Sequence, residues 1–531
     1  KALSLKRFWS KRDSKFKSWY EQLQMVDLLY QKDMESFVGN DPRASFNLVS
    51  SILNQRIPHR LRPDILTAEQ VRPAAELSFM FEAIWEKVSE NYRKRGRYFQ
   101  KDLIDFLLAV GWYSVFATVT LDGSECIAEV WNPATVYPRW EEALVECTHI
   151  FSPGAAQCRR LSERNGWGLK NVNDNATIYD YWWLEESAVW NSIVVDTALV
   201  KPATPEPRFG RIPIFVSPVG GLPDDGALSR KTSAWKEEIG QGFVATNENV
   251  HKASNRWWTF VFQLLRDTAQ PKTFERTSSA RPLITPENWY RRGAHFKLGP
   301  NDEIGYIAPP PIPVELRSTQ LDLEAMMQRG GPSWTMFGSI QAQMTAYAMS
   351  QVAATTNQIS RYYHQGVIDC ISDIDNFWLD MIKNNGYRPY GMPLSPGLPP
   401  DAKLTAEYEL RIPGDFIQRA TTARILNPQF ELSDERIMEE LFPEIKNPAE
   451  ELAKVRASKA RKNPAFTQVS LIEAFKQEAD LLRRDRDFDG AELYEKVAAR
   501  LEQAIVGVEP PPEQLAPGVS TRPEVLPERG Y

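Results

Sequence analysis

A run of helices and loops in the middle of the chain constrains its fold more than any other feature. Apolar spacing predicts a long helix over 227–267, a Pro-punctuated irregular segment over 271–313 and a shorter helix over 314–329. A glycine-hinged aromatic loop at 330–339 and a second long helix over 341–383 follow. At ~1.5 Å per residue each long helix would span roughly 60 Å, more than the width of a small domain. This pattern is typical of a mechanical element rather than of an enzyme scaffold.

The bulk composition is that of a large globular protein. A chain of 531 residues is longer than one core usually supports, so we expect several sub-domains. The net charge of −6 does not favour nucleic-acid affinity, for which a basic domain is the usual sign. Sixteen tryptophans indicate many packed or interface anchors.

Cysteine spacing argues against a disulfide-stabilised protein, and hydropathy argues against a protein with a transmembrane helix. We interpret Cys126, Cys147, Cys158 and Cys370 as reduced thiols in a cytosolic setting, because no C-x-x-C pair occurs. No apolar run is long enough to predict a transmembrane helix. The basic start of the chain lacks both a signal-peptide apolar region and an initial Met, so we expect the numbering to begin inside a longer chain or after its processing.

Before the central helices, the spacing of apolar residues changes from a helical to a strand-like period. Helical spacing over residues 1 to about 110 includes a stripe of Leu77, Phe81, Ile84, Trp85 and Val88. From Trp112 onward the pattern becomes strand-like, with a hairpin predicted at Asp122-Gly123. Further strands are predicted at 145–151, 177–184, 188–195 and 212–218.

The second long helix also carries an apolar stripe, which should pack on one face. Its members are Tyr363, Val367, Cys370, Ile371, Ile374, Trp378 and Met381. A strand is expected at Lys403–Ile412, then helices with charged faces to about residue 506. The Pro- and Glu-rich tail 507–531 is expected to be disordered.

No motif for phosphate binding, zinc-dependent hydrolysis or a nucleophilic serine is present. The five histidines are far apart and show no metal-ligand spacing. The segment from Asp485 to Gly490 matches the start of a calcium-binding loop, but the twelfth position is Lys496 where that loop needs Glu. A helix-to-helix turn is the favoured interpretation of these residues.

A basic segment interrupts this acidic chain. Residues 271–300 hold six basic and two acidic residues, so their net charge is +6 − 2 = +4. The basic residues are Lys272, Arg276, Arg281, Arg291, Arg292 and Lys297. The reversal of sign indicates contact with a negatively charged partner, either a protein or DNA, with a plain surface patch as the alternative.

The loop after the shorter helix has glycines at both ends and large apolar side chains between them. Its candidate residues are Arg329, Gly330, Gly331, Trp334, Met336, Phe337 and Gly338. An exposed aromatic loop requires a partner surface. The alternative is an ordinary helix connection that is packed into the core.

Four strings, in this order along the chain, carry a resemblance to a known family. They are Ser45–Asn54, Val130–Pro138, Gly210–Val216 and Gly330–Gly338. Over roughly residues 11 to 500 the chain resembles a portal protein of tailed bacteriophages. Such proteins form the ring at one capsid vertex through which DNA enters and leaves.

The resemblance implies an α+β portal fold with a fixed order of regions. It assigns a wing to 1–226, a long helix entering the stem to 227–270, a small α/β clip to 271–313 and a second stem helix to 314–329. It also assigns a tunnel loop to 330–340, a long helix and return strand of the wing to 341–419, a helical crown to 420–506 and the tail to 507–531.

The resemblance also implies a structural, non-enzymatic role with no cofactor and no metal. The ring is expected to be a dodecamer, assembled in the host cytoplasm and placed in the virion, without membrane contact. Its implied partners are the major capsid protein, the terminase large subunit, adaptor, head-completion or tail proteins, a scaffold protein and double-stranded DNA, bound non-specifically. The six basic residues would dock the motor or adaptor, and the loop residues would face DNA.

Two alternatives remain at the level of sequence. Another oligomeric virion component, such as a tail or baseplate protein, would share the aromatic, β-rich middle but has no need for paired stem helices. A carbohydrate-active hydrolase would explain the tryptophan count, but it needs two carboxylates about 5–9.5 Å apart in a cleft. No motif in the sequence points to such a pair.

Overall fold

The computed structural model describes residues 1–31, 35–55, 57, 59–61, 71–169, 173–222, 239–269, 272–278, 282–285, 287, 291, 295–308, 315–337, 346–399, 401–406, 433–434, 437–438, 448–461, 464–484 and 487–506. The chain divides into two units, Lys1–Pro413 and Gly414–Tyr531. Helices and strands are mixed along the first unit, which confirms the predicted combination of α and β structure.

The described part of the first 110 residues is mainly helical, as its spacing predicts, with one short strand that was not predicted. Where this region is described, its elements are α1 Ala2–Phe8, α2 Ser10–Leu23, α3 Asp41–Leu53, β1 His59–Leu61, α4 Val71–Lys94 and α5 Phe99–Val110. The predicted apolar stripe of α4 is buried along its whole length. Helix α5 ends at Gly111, whose φ of 68° is the left-handed conformation that closes many helices.

Two antiparallel sheets follow. Their strands are β2 Trp112–Val119, β3 Cys126–Val130, β4 Val136–Trp140, β5 Leu144–Phe151, β6 Ile178–Glu185, β7 Ala188–Val195, β8 Ala198–Pro205 and β9 Ile214–Pro218, with α6 Ala155–Asn165 between β5 and β6. One sheet has the order β3-β2-β9, and the other runs from β4 to β8 in sequence order. The hairpin predicted at Asp122-Gly123 is confirmed, with Val119 paired to Cys126.

The sequence analysis did not find β4 or β8, and proline explains why. Pro138 lies within β4, and Pro202 and Pro205 lie within β8. Proline cannot donate a ladder hydrogen bond and therefore argues against a central strand. Both strands are edges of the five-stranded sheet, where an unpaired side makes proline acceptable.

The middle of the chain contains two more helices and a strand pair before the second long helix. The elements are α7 Glu248–Ala269, β10 Thr273–Arg276, β11 Glu303–Tyr306, α8 Glu315–Arg329, α9 Ala346–Asn385 and β12 Leu404–Ala406. The short helix predicted over 314–329 is present as α8. At 40 residues, α9 has the predicted length of roughly 60 Å.

The first long helix, in contrast, was predicted too long. Of its predicted span, 227–238 lies outside the described residues, and 239–247 is not α-helical. The N–H of Gln241 donates to the Val219 carbonyl (3.0 Å), and that of Phe243 donates to the Leu108 carbonyl (2.7 Å). These tertiary hydrogen bonds replace helical ones, so α7 begins at Glu248. Its 22 residues span about 33 Å rather than 60 Å.

The C-terminal half of α9 lies at the centre of the first unit's core. The predicted stripe from Tyr363 to Met381 is buried. The indole N–H of Trp378 donates to the Thr118 carbonyl of β2 (3.1 Å). The buried carboxylate of Asp375 accepts from the indole N–H of Trp85 on α4 (2.6 Å). Helix α9 therefore joins the N-terminal helices to the three-stranded sheet.

A buried cation fixes the N-terminal helices onto both sheets. The guanidinium of Arg12 lies 4.9–5.4 Å from the rings of Trp9, Phe16, Trp112 and Tyr137. It also donates to the Asp13 carboxylate (2.9 Å) and to the Val136 carbonyl (3.1 Å). Burial lowers the pKa of Arg12 and raises that of Asp13, and their mutual attraction opposes both shifts.

All four cysteines are free and buried, in agreement with the interpretation as reduced thiols. The strand predicted at Lys403–Ile412 is present as β12, which pairs antiparallel with β1. Residues 407–412, most of the predicted crown before residue 448, and the tail 507–531 lie outside the described residues.

The second unit contains α10 Pro448–Arg461, α11 Pro464–Arg484 and α12 Phe488–Val506. Lys476 pairs with Glu502 (2.5 Å) and Arg483 with Glu495 (2.6 Å), so α11 and α12 are antiparallel. Asp487 accepts the N–H of Gly490 (3.1 Å) at the start of α12. This supports the helix-to-helix turn at this segment, although Asp485 and Arg486 are not described.

Replacing Gly111 with alanine is predicted to destabilise the fold more than the same change at Gly386, because two backbones approach closely at Gly111. A Cβ at this position would overlap the backbone of Gln241, whereas a Cβ at Gly386, which follows α9 with a similar φ of 65°, meets nothing within 4 Å. We expect Gly386→Ala to cost about 1 kcal/mol, the usual penalty of left-handed backbone for a residue with a side chain. Gly111→Ala should cost at least twice as much, measured by denaturant unfolding. Equal destabilisation by the two variants would contradict the packing of 239–247 against α5.

Candidate functional site

Helices α7 and α8 form an antiparallel pair, which we call the helical pair. The side-chain amide of Asn247, immediately before α7, donates to the Met327 carbonyl in the last turn of α8 (2.8 Å). The opposite ends of the two helices lead to β10 and β11, which pair antiparallel from Thr273↔Tyr306 to Arg276↔Glu303. The segment predicted as helix, excursion and helix therefore folds back on itself, with the two helices joined at one end and the two strands paired at the other.

The helical pair exposes apolar side chains that a single copy does not cover. Helix α8 has no buried residue, and the buried residues of α7 are His251, Ser254 and Thr259. Phe260 is 69% exposed and Leu321 is 58% exposed. Smaller exposed fractions belong to Phe262, Leu265 and Met326. A helix of 15 residues without burial is marginally stable on its own, so α8 needs additional contacts.

The first turn of α7 is fixed to α2 through Glu248. Its carboxylate accepts from the Trp19 indole N–H (3.0 Å), the Ser18 hydroxyl (2.9 Å) and the Lys252 ammonium (2.5 Å). Burial alone would raise the pKa of Glu248, but the three hydrogen bonds outweigh it and lower the pKa. This end of the helical pair is therefore anchored to the core.

An extended segment, 35–39, runs along α7 and was not found by the sequence analysis. Its Phe37 ring lies 5.7 Å from Trp258 and 5.6 Å from Phe262. The Phe37 N–H donates to the Thr259 hydroxyl (3.1 Å), and the Gly39 N–H donates to the Asn255 side chain (2.9 Å). The sequence Gly39-Asn-Asp-Pro42 is a local signal for the end of a helix, but it does not reveal which surface the chain contacts.

The strand pair β10–β11 is stabilised by two acidic side chains that serve as acceptors. Glu275 accepts from the N–H groups of Leu283 (2.9 Å) and Ile284 (2.7 Å). Asp302 accepts from the Thr277 hydroxyl (3.0 Å) and the Gly299 N–H (3.0 Å). Hydrogen bonds of this kind lower the pKa of Asp302, whose carboxylate is therefore fixed in the ionised form.

The described residues of the predicted basic patch are exposed. The net charge of the patch is lower than the count over 271–300, because acidic residues at the paired strand lie beside it. Lys272, Arg276, Arg291 and Lys297 are exposed, whereas Arg281 and Arg292 lie outside the described residues. Arg276 lies 3.6 Å from Glu303 on the paired strand. Extending the count to residue 306 adds Asp302 and Glu303, so the net charge is +6 − 4 = +2 rather than +4.

The aromatic loop lies at the base of the helical pair. Arg329 is exposed, Gly331 and Pro332 are buried, and a short 3₁₀ turn, Trp334–Phe337, brings the Trp334 and Phe337 rings to 6.4 Å. Trp334 and Met336 are half-buried and Phe337 is 41% exposed, so the loop is partly packed and partly free. Gly338 lies outside the described residues. A Cβ at Gly330 would overlap the Asn247 side chain, so close packing requires glycine there.

A cleft of about 230 Å³ separates this loop from the N-terminus of α3, and we call it the loop cleft. Its apolar walls are Pro42, Ala44, Phe243, Val244, Met327, Pro332, Trp334 and Phe337. Its polar lining includes Asn40, Asp41, Ser45, Asn247 and His251. Burial lowers the pKa of His251 to about 4 and raises the pKa of Asp41.

Within the described residues, no group of three or more His, Cys, Asp or Glu side chains could hold a metal ion. None of the described helices is long and apolar enough to cross a membrane.

No known protein family matches the chain, and no curated protein matches it. Solved structures that are similar include a chain of the neck of a native GTA particle, computed with C12 symmetry (12% identity, 76% of this chain and 89% of that chain covered, TM-score 0.38). Others are a chain of the neck of an empty GTA particle with C6 symmetry (13%, 76% and 90%, 0.40) and one of the virion of a native gene transfer agent particle (12%, 76% and 89%, 0.37). At these TM-scores the similarity does not decide the function of this chain.

His251 is predicted to make stability depend on pH. Its pKa is about 4 in the folded chain and about 6.5 when exposed, so the unfolded chain binds this proton more readily. Stability should therefore fall as the pH drops from about 6.5 to about 4, by about 3 kcal/mol on account of this residue. We expect His251→Asn to reduce the decline in melting temperature between pH 7 and pH 4. The control His295→Asn changes an exposed histidine and should keep the wild-type decline; an unchanged decline in His251→Asn would refute the assignment.

Proposed function

We propose that the chain is a portal protein that forms a ring at one vertex of a phage-like capsid and conducts double-stranded DNA. The observation that carries this proposal is the helical pair, whose apolar side chains are uncovered in one copy. Helix α8 has no buried residue, so the pair requires neighbours. In a ring, copies of the chain are related by rotation about one axis. Each copy then contacts its two neighbours, which can cover the exposed apolar side chains of the helical pair.

The second argument is the position of the strand pair. It connects the ends of α7 and α8 that lie opposite the Asn247 contact. It presents Lys272, Arg276, Arg291 and Lys297 to solvent. We propose this surface as the clip, on which the terminase motor and later an adaptor protein dock.

The third argument is the chemistry of the loop. Among its described residues, 329–337, Arg329 is the one cation. Sequence-independent DNA affinity arises mostly from Lys and Arg contacts with phosphates. A loop with few cations and an exposed Phe337 can restrict a duplex without holding it, which is what a conduit requires. The tunnel-loop role of Arg329, Gly330, Gly331, Trp334, Met336, Phe337 and Gly338 remains part of this proposal.

Ring formation is tested by replacing the uncovered apolar residues. Phe260→Glu and Leu321→Glu place a charge on the faces proposed to contact neighbours, where a desolvated carboxylate is unfavourable. We expect each variant to reduce the ring fraction at least tenfold in native mass spectrometry and in electron-microscopy class averages. Phe79→Glu is the matched control, since Phe79 is 73% exposed and belongs to α4, which is not part of the helical pair.

The wild-type chain should form a ring near 12 × 60.7 kDa, with a hole wide enough for a ~20 Å duplex. A wild-type chain that remains a monomer at every concentration would reject the portal proposal. If both Phe260→Glu and Leu321→Glu form intact rings, the helical pair has no role in ring formation, and the observation that carries the portal proposal is lost.

The docking role predicts a charge-reversal phenotype. Lys272→Glu combined with Arg291→Glu should weaken binding of the motor or adaptor by at least tenfold in a pull-down at low salt. The difference should shrink near 0.5 M salt, because exposed charges are screened within a few ångströms there. Lys17→Glu, at a residue 79% exposed on α2, is the control and should bind normally. Unchanged binding by the double variant would remove the docking role.

A further inference from the structure

We propose that the loop cleft binds a small compound with a single uncharged aromatic ring system that carries an N–H or O–H donor. This inference goes beyond the portal role and does not depend on ring formation. The cleft is formed by three separate parts of the first unit: the start of α3, the residues that enter α7 and the aromatic loop.

The size and walls of the cleft suit one aromatic ring system. A volume of about 230 Å³ exceeds the ~150 Å³ of an apolar cavity that accepts benzene. Phe243, Trp334 and Phe337 provide aromatic surfaces, and Val244 and Met327 provide aliphatic ones. Aromatic walls pair favourably with a flat ring in stacked or edge-to-face contact.

The polar groups of the cleft select for a donor. His251 is 7% exposed, and its imidazole has no hydrogen-bond partner among the described residues. Burial keeps its imidazole neutral near pH 7, so one ring nitrogen is an acceptor. Asp41, at the first turn of α3, adds a carboxylate acceptor. The amide of Asn247, in contrast, already donates to Met327.

The charges around the cleft exclude an anionic ligand. Among the described residues, the lining includes no Lys or Arg, and Asp41 is its one acidic residue. Glu324 of α8 is near enough to raise the pKa of Asp41 further. A carboxylate on the ligand would therefore lie beside like charge without a compensating cation, which is unfavourable in a desolvated site.

Three probes of similar shape separate these requirements. Indole has the ring and the donor, 1-methylindole has the ring without the donor, and indole-3-carboxylate adds an anion. By isothermal titration at pH 7 we expect indole to bind at roughly 0.1–1 mM, in keeping with a ligand of so few atoms. We expect 1-methylindole to bind about tenfold more weakly, the effect of one lost hydrogen bond, and the carboxylate to show no binding.

Two variants test the site itself. Ala44→Leu fills the cleft from α3 and should abolish indole binding, whereas Ala156→Leu, at an exposed position of α6, should not affect it. His251→Phe combined with Asp41→Ala removes both acceptors and should equalise the affinities of indole and 1-methylindole. Absence of indole binding to the wild-type chain, or indole binding that survives Ala44→Leu, would overturn the proposal. Equal wild-type affinities for indole and 1-methylindole would overturn the role of His251 and Asp41.

Discussion

The buried guanidinium of Arg12 is the interaction on which the rest of the first unit depends. A cation removed from water is unfavourable unless other groups replace its hydration. Here Asp13 and the Val136 carbonyl accept from Nε and Nη2, and four aromatic rings surround the group, whereas the buried Nη1 has no hydrogen-bond partner among the described residues. Because these groups come from the α1–α2 junction, α2, β2 and β4, the start of the chain and both sheets must assemble together. Strand β2 in turn contacts α9, because the indole N–H of Trp378 donates to the Thr118 carbonyl of β2.

The same core positions the helical pair. Trp19 packs beside Phe16 in α2, and its indole N–H holds Glu248 in the first turn of α7. Asn247 then fastens the last turn of α8. The base of the pair is thus anchored by several polar contacts, while its apolar side chains remain available. The anchored base and the uncovered helices are the features on which the proposed ring assembly rests, and the loop cleft lies at that base.

Periodicity was a reliable guide where one face of an element meets the core. The stripes of α4 and α9 and the hairpin at Asp122-Gly123 were predicted correctly, because burial of one face and a turn dipeptide both leave a local signal. The edge strands β4 and β8 were missed because their prolines are acceptable only at an edge. Nothing local reveals which strand is an edge, since that depends on the order of strands in the sheet.

The sequence by itself determined the mixture of helices and sheets, the apolar stripes and the order of helix, excursion, helix and loop. Tertiary structure alone decided where α7 begins, because the N–H groups of Gln241 and Phe243 bond to distant carbonyls rather than within a helix. It also decided that Arg276 faces Glu303 across a strand pair. The loop cleft was equally invisible in the sequence, since its lining comes from three segments almost 300 residues apart along the chain, from Asn40 to Phe337. Local pattern specifies which face of an element is apolar, but only the packing of the whole unit specifies which other element that face meets.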